Sequence, residues 1–275
     1  MATISFTKME GAGNDFIVID NRAGLFTLAE IIEFTPKLCH RKFGIGADGI
    51  LVLDNAQLPE VDYTMTYRNA DGSDAGMCGN GSRCLALYAF VKGFNAKQLF
   101  NVHDKIYSAL VNEAESTVKV SFPAVKAPKS LSILAQNYTQ VYTGTEHLVQ
   151  FVEKDILENE KLLFERGHSL RWHPELNPPG TNVNFVWATS DSHIHLETYE
   201  RGVENLTLAC GTGAIASAIA THHNKNLAGG WFDFQISVKG GDLKVSFEYD
   251  ASSSEYNNVS LGGPAHFVFE GTIDV

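Results

Sequence analysis

The sequence has few cysteines, an excess of acidic over basic residues and no long apolar segment. Its four cysteines in 275 residues are too few and too unevenly spaced for a secreted disulfide scaffold, so we expect free thiols. The net charge of -11 argues against nucleic acid or an anionic membrane as the main partner. No stretch approaches the roughly 18 apolar residues of a membrane span, and the first residues do not resemble a signal peptide. These absences predict a globular, cytoplasmic protein.

What is present suffices for a large hydrophobic core. Hydrophobic residues make up 44% of the sequence, and its length fits one large domain or two ordinary ones. Short runs of β-branched and aromatic residues, bounded by Gly, Asn, Asp or Pro, predict strands through most of the chain. The first two strands surround the Gly-rich turn at 11–15. A capped helix is expected over 27–38 behind Thr27, ending near Pro36.

A short motif occurs twice, near the middle of each half. Cys78-Gly79-Asn80-Gly81 is followed 132 residues later by Cys210-Gly211-Thr212-Gly213. Each copy precedes an apolar helical run, at 85–91 and at 214–222, and we expect the second run to be the one clear helix of its half. A Pro-rich segment at 123–128 separates the halves. We therefore predict a duplicated α/β protein with a pseudo-symmetric cleft.

The residue types in this motif suit the binding of a carboxylate beside a reactive thiol. Flanking glycines let consecutive backbone N–H groups at a helix N-terminus face one anion. The same partial positive charge favours thiolate, lowering the thiol pKa from about 8.5. Two such sites would place one sulfur on each face of the carbon next to the carboxylate, which suits stereoinversion without a metal or an organic cofactor. One copy alone would more simply be a buried structural cysteine, the interpretation we keep for Cys39 and Cys84.

Longer segments around these motifs resemble the diaminopimelate epimerase family over nearly the whole chain. The similarity rests on six segments: KMEGAGNDF (8–16), RKFGIGADGILVL (41–53), RNADGSDAGMCGNGSRC (68–84), GTNVNFV (180–186), ERGVENLTLACGTGA (200–214) and GGPAHFVFEG (262–271). The resemblance implies an α/β (α+β) fold of two barrel-like lobes, each around a central helix, with the final strand returning to the first lobe. The expected lobes are 1–123 with 264–275, carrying Cys78, and 124–263, carrying Cys210.

The resemblance also implies the activity and the residues of the site. Cys78 and Cys210 are the implied acid and base, interconverting LL- and meso-diaminopimelate for lysine and cell-wall precursor synthesis. Glu200 would bind the α-ammonium and Arg201 the distal carboxylate. The implied substrate-binding residues are Asn14, Asn69, Gly79, Asn80, His147, Asn182, Glu200, Arg201, Gly211 and Thr212. No cofactor is implied, and a homodimer is suggested. Without the family, Asn14 and Asn69 would be turn residues, Glu200 and Arg201 a solvated pair, and His147 a strand histidine.

Departures from the family pattern leave the substrate open. Glu10 stands where the family usually has His, and Thr145-Glu146 where it has Asn-Pro; Leu206 replaces a common Glu. A racemase of another amino acid, such as histidine, is the first alternative, and a binding protein without catalysis is the second. The Gly-x-Gly-x-x-Gly pattern at 44–49 precedes a predicted strand, so we expect no nucleotide site. No histidines have metal-ligand spacing, so no metal is predicted; His222 and His223 are interpreted as cations at a helix end.

Overall fold

The structure is a computed structural model that describes residues 3–274. These residues divide into two compact units. The first comprises the residues up to Val120 together with those from Gly263 onward, and the second is Ser121–Gly262. Both units are rich in strands and contain few helices, a mixed α+β architecture. No helix among residues 3–274 is long and apolar enough to cross a membrane.

The first unit is a sheet that surrounds one helix. Its helices are α1 (Leu28–Cys39) and α2 (Gly79–Val91), and its strands are β1 (Thr3–Gly11), β2 (Asn14–Asp20), β3 (Gly49–Asn55), β4 (Tyr63–Asn69), β5 (Lys97–Val102), β6 (Lys105–Asn112), β7 (Thr117–Ser121) and β18 (His266–Asp274). The strands pair in the order β18-β1-β2-β3-β4-β5-β6-β7. Only β2 with β3 and β4 with β5 are parallel. Helix α2 packs against β1 to β4 and β6, so it is the central helix of this unit.

The second unit repeats this arrangement around another helix. Its helices are α3 (Lys154–Leu157), α4 (Glu160–Arg171) and α5 (Gly211–Asn224), and its strands are β8 (Val125–Lys126), β9 (Lys129–Ile133), β10 (Gln136–Tyr142), β11 (Glu146–Phe151), β12 (Asn182–Ala188), β13 (His193–Glu200), β14 (Asn205–Thr207), β15 (Gly230–Val238), β16 (Gly241–Asp250) and β17 (Glu255–Pro264). Strand β11 pairs in parallel with β12, and β13 with β15. Helix α5 packs against β10 to β13, β15 and β16.

Strands β2 and β3 are buried on both faces, because α1 packs against one face and α2 against the other. Ile17 and Ile50, on β2 and β3, pack in a cluster with Ile31 and Leu38 of α1. The alternate side chains of the same strands point to the other face, and Leu51 lies beside Gly81 of α2. A strand between two helical layers reads as a continuous apolar run, as 50–53 does.

Helix α1 corrects one detail of the sequence prediction. Thr27 caps the helix as predicted, with Glu30 completing a capping box. The helix does not end near Pro36 but continues through it to Cys39. Proline at that position removes a single N–H, while Leu38 and Cys39 are buried in the core. Burial of the last turn therefore outweighs the loss of one hydrogen bond.

The expectation of one clear helix in the second half is wrong. Helix α4 is twelve residues long, begins after Asn159, whose side chain accepts a hydrogen bond from the Leu162 N–H, and buries Leu163 and Leu170. Gly167 allows α4 to lie directly on Tyr199, since an added Cβ would be 2.5 Å from the Tyr199 Cβ. Gly167 and Tyr199 are far apart in the chain, so the local sequence pattern did not indicate their contact.

Candidate active site

Cys78 is the N-cap residue of α2. Its backbone is extended, with φ -123° and ψ 119°, and the helix begins at Gly79. The Gly81 N–H donates to the Cys78 Sγ atom over 3.5 Å. A Cβ at Gly81 would lie 2.9 Å from a methyl group of Leu51, so glycine lets the first turn approach β3 closely. The sulfur of Cys78 thus occupies the position where a helix N-terminus stabilises negative charge.

Asn14 lies beside this sulfur. Its Oδ1 atom is 3.5 Å from the Asn80 Nδ2 atom and 3.9 Å from the Cys78 Sγ atom. Its Nδ2 atom donates to the carboxylate of Asp48, which Arg41 also binds at 2.7 Å. The Asp48 carboxylate can only accept, so it fixes the orientation of the Asn14 amide and directs Oδ1 toward Cys78.

Asn69 stands at the end of β4. Its Nδ2 atom donates to the Ser73 hydroxyl at 3.1 Å, and its carbonyl accepts from the Gly72 N–H at 2.8 Å. The amide nitrogen is thereby engaged in the turn that follows the strand. A contact between Asn69 and a substrate stays a prediction.

Cys210 is the N-cap residue of α5, in nearly the same conformation as Cys78. Its φ and ψ are -119° and 109°, and the helix begins at Gly211. Its Sγ atom lies 3.6 Å from the Thr212 hydroxyl and, unlike that of Cys78, accepts no bond from the helix N–H groups. Gly213 is required by packing, because a Cβ there would lie 2.4 Å from the Asn184 Oδ1 atom. The two motifs therefore share both their position in the fold and their backbone geometry.

His147 connects β11 to this second helix start. It is fully buried, and its Nε2 atom lies 3.0 Å from the Thr212 hydroxyl. Its Nδ1 atom lies 3.0 Å from the Asn184 Nδ2 atom, which also donates to the Leu148 carbonyl. Burial lowers the pKa of His147 to about 3, so the ring is neutral at pH 7. Nδ1 accepts from Asn184, and Nε2 therefore carries the proton and donates it to Thr212.

Asn184 was not among the residues predicted from the sequence. Its Oδ1 atom accepts from the Thr198 hydroxyl at 3.0 Å, so both ends of the amide are engaged. The parallel register of β11 and β12 pairs His147 with Asn182 and brings Asn184 under the ring. The only sequence signal was its place in the segment 180–186, two residues after Asn182.

Asn182 and Arg201 form a second group in the same unit. The Asn182 Oδ1 atom accepts from the Arg201 N–H at 2.9 Å, and its Nδ2 atom donates to the Glu146 carbonyl at 3.0 Å. The Arg201 guanidinium binds the Thr145 hydroxyl at 2.7 Å and the Glu146 carboxylate at 3.3 Å. Glu200 precedes Arg201 and is the last residue of β13. Hydrogen bonds thus link the Asn182 amide, the Arg201 cation and the Glu146 anion in one group.

The other two cysteines are core residues, as predicted. Cys39 and Cys84 are buried, and no disulfide bond joins any of the four cysteines, all of which lie within residues 3–274. Burial raises the pKa of Cys39 to about 12 and that of Cys84 further, so neither thiol ionises near pH 7. Neither Cys39 nor Cys84 is therefore a candidate for proton transfer.

The histidines elsewhere do not form a metal centre within the described part of the chain. Among residues 3–274, no three His, Cys, Asp or Glu side chains are grouped as metal ligands. The interpretation of His222 as a helix-end cation is wrong, because burial lowers its pKa and its Nδ1 atom lies 3.1 Å from the Tyr256 hydroxyl. His222 is a neutral core residue.

Comparison with known proteins decides the family. The model of the family described as diaminopimelate epimerase matches residues 6–120 and 139–267. The chain belongs to the diaminopimelate epimerase family. It is 41% identical to a diaminopimelate epimerase of Flavobacterium psychrophilum over 97% of this chain and 98% of the relative. The corresponding enzyme of Chlorobaculum tepidum is 38% identical over 96% of this chain and 99% of the relative. The chain is accordingly an isomerase, as its sequence motifs predicted.

Solved structures show the same fold at low sequence identity. A Bacillus anthracis protein of the phenazine biosynthesis PhzF family superposes with a TM-score of 0.77 and 14% identity, each chain being covered in full. A hydroxyproline epimerase from Agrobacterium vitis gives 0.72 at 14% identity, over 98% of this chain and 92% of that one. The predicted two-lobed α+β fold is thus confirmed.

Two of the departures from the diaminopimelate epimerase pattern share one partner in the second unit. Thr145 and Glu146 both bind Arg201, the residue for which the family implies the distal carboxylate. Glu10, the departure in the first unit, accepts from the Gly13 N–H and pairs with His266 at 2.6 Å. Glu10 is therefore paired within the first unit. Thr145 and Glu146 instead contact Arg201, which the sequence predicts to bind the substrate.

Proposed function

We propose that this chain interconverts LL- and meso-diaminopimelate by proton transfer at the α-carbon, with Cys78 and Cys210 as paired base and acid. One observation carries the proposal: each cysteine is the N-cap residue of the central helix of its unit, in matching extended conformations. Such a position favours thiolate and supplies N–H groups for a carboxylate. The family membership supports the same reaction.

The reaction needs one thiolate and one thiol. One sulfur, as thiolate, takes the α-proton, and the bonding electrons move into the carboxylate as an enolate-like carbanion. The other sulfur, as thiol, delivers its proton to the opposite face of the same carbon. The product leaves with the protonation of the two sulfurs exchanged. Both proton transfers are made by side chains of the chain itself, so the scheme requires neither a metal nor an organic cofactor.

The neighbours of each sulfur have distinct tasks in this scheme. The backbone N–H groups at Gly79-Asn80 and at Gly211-Thr212 bind the reacting carboxylate, whose charge grows as the proton leaves. Neutral His147 donates to the Thr212 hydroxyl, which is then free to orient its own proton toward Cys210. Glu200 would neutralise the α-ammonium.

The second part of the proposal concerns the group that the substrate carries at the end far from the reacting α-carbon. Arg201 is a planar fork suited to a carboxylate, and Asn182 holds its backbone in place. Glu146 competes for the same guanidinium, an observation that favours the alternative of another amino acid with no distal carboxylate. Comparing LL-diaminopimelate, lysine, histidine and glutamate in one stereoinversion assay decides between them.

Exchange of the α-proton in heavy water tests the proposal. We expect LL-diaminopimelate incubated with the protein in D₂O to gain α-deuterium, read by mass spectrometry, and to yield the meso isomer. A protein that only binds amino acids would show saturable binding without deuterium in the ligand. Absence of exchange with all four amino acids would therefore favour the binding protein.

Single substitutions test the two-base mechanism. Cys78→Ala and Cys210→Ala should each abolish stereoinversion, because each removes one of the two proton carriers. Cys39→Ala is the matched control, since that thiol lies in the core of the first unit. Full turnover in either active-site variant would refute the mechanism. A cytoplasmic location, a homodimer and a role in lysine and cell-wall precursor synthesis stay predictions, the second of them measurable by light scattering.

A further inference from the structure

Arg171 is a buried cation at the last position of α4. Its side chain is only 9% exposed. Its Nε atom donates to the Glu204 Oε1 atom at 3.1 Å, and its Nη1 atom donates to the Asn177 Oδ1 atom at 3.4 Å. The guanidinium also lies over the Trp172 ring, 4.2 Å from its centre. A buried ion pair contributes little net stability, because desolvation offsets the attraction, so the partners of Arg171 indicate its role better than its charge does.

Glu204 belongs to the turn that carries Arg201. The Gly202 N–H donates to the Glu204 Oε1 atom at 3.1 Å, and the same oxygen accepts from Arg171. The Glu204 N–H in turn donates to the Glu200 carbonyl at 2.8 Å. Glu204 has a φ of 58°, a left-handed conformation that a non-glycine residue keeps only when its surroundings fix it. The Glu204 carboxylate therefore links Arg171 to the backbone next to Arg201.

The loop at 177–180 links Arg171 to the guanidinium of Arg201. The Asn177 Nδ2 atom donates to the Arg171 carbonyl at 3.0 Å, so both ends of the Asn177 amide bind Arg171. Gly180 has a φ of +76°, and a Cβ there would lie 1.9 Å from the Arg171 Nη1 atom. The loop backbone thus packs directly on the Arg171 guanidinium. The Pro179 and Gly180 carbonyls, at the end of this loop, each accept from the Arg201 Nη1 atom at 3.3 Å.

Both sets of contacts made by Arg171 therefore lead to one side chain. Through Glu204, Arg171 holds the turn that carries Arg201, and through the loop at 177–180 it holds two acceptors of the Arg201 guanidinium. A long side chain that is held in place before a ligand arrives loses less conformational entropy on binding. Arg171 is thus placed to reduce the cost of binding an anion at Arg201.

Helix α4 reaches the same turn at a second point. The Tyr199 hydroxyl lies 3.5 Å from the Glu204 Oε2 atom, and the His168 Nδ1 atom of α4 lies 3.1 Å from that hydroxyl. Tyr199 is fully buried on β13, two residues before Arg201. Both carboxylate oxygens of Glu204 are therefore in contact with α4 or with the strand beneath it.

We infer that Arg171, paired with Glu204, is the positioning residue that fixes the Arg201 guanidinium for the carboxylate at the distal end of the substrate. The identity of that ligand rests on the proposed function, whereas the ordering of Arg201 by Arg171 does not. Because the distal end is unchanged by proton transfer, loss of Arg171 weakens substrate binding and leaves the chemical step nearly unaffected.

NMR of the protein without substrate tests the ordering of Arg201. Arginine is labelled with ¹⁵N, the Arg201 side-chain signal is assigned by its absence from Arg201→Lys, and exchange spectroscopy gives the rate of rotation about its Nε–Cζ bond. We expect this rotation to be faster by about fivefold or more in Arg171→Met, because hydrogen bonds to the guanidinium are weakened. An unchanged rate in the folded variant would overturn the inference. Circular dichroism verifies folding.

Kinetics of the same variant separate positioning from a general structural role. Arg171→Met should raise KM for LL-diaminopimelate by about fivefold and change kcat by less than about twofold. Arg171→Lys keeps the charge opposite Glu204 but loses the paired donors, so it should recover part of the increase. The matched control is Arg166→Met, which removes a partly exposed cation from the same helix and should leave KM unchanged. An unchanged KM in Arg171→Met, or a fall in kcat alone, contradicts the positioning role.

A double variant tests whether Arg171 acts through Arg201. In the background of Arg201→Lys, where the fork is already lost, Arg171→Met should raise KM by less than about twofold. If the two increases multiply in full, Arg171 acts independently of Arg201 and the inference is wrong.

The outcomes distinguish this inference from the proposed function. Faster Arg201 rotation in Arg171→Met, in a protein that exchanges no α-proton of any of the four amino acids, overturns the proposed function alone. Normal epimerisation by the wild type, with Arg201 rotation and KM unchanged in Arg171→Met, overturns the inference alone. If Arg171→Met does not fold, Glu204→Gln decides by the same two measurements, because it keeps an acceptor for the Gly202 N–H and removes the ion pair.

Discussion

The Nε2 atom of His147 lies 3.0 Å from the Thr212 hydroxyl, and the same hydroxyl lies 3.6 Å from the Cys210 sulfur. Asn184 holds the other ring nitrogen as an acceptor, so the proton between His147 and Thr212 belongs to the ring. The Thr212 hydroxyl thus accepts from His147 and keeps its own proton available. A neutral hydroxyl can follow the sulfur through both protonation states, accepting from thiol and donating to thiolate.

Thr212→Val should reduce activity while keeping the shape of the side chain. The change removes the hydroxyl beside Cys210 and leaves a buried imidazole N–H without its acceptor, which costs about 1–3 kcal/mol. We expect the rate of α-proton exchange to fall by about tenfold or more. Thr212→Ser, which keeps the hydroxyl, should retain most of the wild-type rate. Equal exchange rates in the Val and Ser variants would contradict this role of Thr212.

His147 should also determine how the protein responds to acid. Its pKa is about 3 in the folded protein against 6.5 for an unperturbed histidine, so between these values only the unfolded chain binds the proton. The free energy of unfolding contributed by neutral His147 is therefore complete above pH 6.5 and falls as the pH drops toward 3. Between pH 6.5 and 4.5 the expected loss is about 2 kcal/mol.

His147→Gln should remove the loss of unfolding free energy that His147 causes in acid. Urea denaturation of the wild type and the variant at pH 7 and pH 4.5 measures this effect. The difference in unfolding free energy between the two pH values should shrink by about 2 kcal/mol in the variant. His223→Gln, on the last turn of α5, serves as the matched control and should leave the difference as in the wild type. If the variant loses as much unfolding free energy in acid as the wild type does, other ionisable groups determine that loss.

Much of the fold was predictable because its signals are local. Thr27 and Glu30 form the capping box that their spacing indicates, and the repeated Cys-Gly-x-Gly motif begins both central helices. The left-handed turn at Ala12 and Gly13 joins the first two strands as expected. Each of these features depends on residues within four positions of one another.

Features that depend on distant contacts were not predictable. Helix α4 lies on Tyr199 through Gly167, and α1 continues past Pro36 because its last turn is buried. Asn184 enters the candidate site only through the parallel pairing of β11 with β12. In the sequence, Arg83 resembles an exposed residue of a helix, because arginine is rarely buried. Only the structure shows that its side chain is completely buried.

Gly167 tests the packing of α4 directly. Gly167→Ala would normally stabilise a helix by about 1 kcal/mol. Here the added Cβ would lie 2.5 Å from the Tyr199 Cβ, so we expect a net loss of roughly 1–3 kcal/mol in unfolding free energy. Ser169→Ala, at an exposed position of the same helix, is the control and should be neutral or stabilising. Stabilisation by both substitutions in urea denaturation would show that α4 can move away from β13.

Substitution of Arg201 tests whether this residue binds the distal end of the substrate, as we propose, without taking part in the chemical step. Its guanidinium donates to the Thr145 hydroxyl and to the Pro179 and Gly180 carbonyls, which hold the fork in one plane. Arg201→Lys keeps the charge but loses the paired donors. Because the distal end does not change during proton transfer, we expect KM for LL-diaminopimelate to rise by about tenfold with a smaller change in kcat.

Glu146→Gln should act in the opposite direction. The carboxylate binds Arg201 at 3.3 Å, and both side chains are about one-third exposed, so the pair contributes less than about 1 kcal/mol. Its removal frees the guanidinium for a substrate carboxylate, and KM should fall by up to about fivefold, with kcat unchanged. The decrease should disappear in the double variant with Arg201→Lys if it acts through the guanidinium. A rise in KM for Glu146→Gln would instead assign Glu146 to the distal ammonium of the substrate, since that end of diaminopimelate carries both charges.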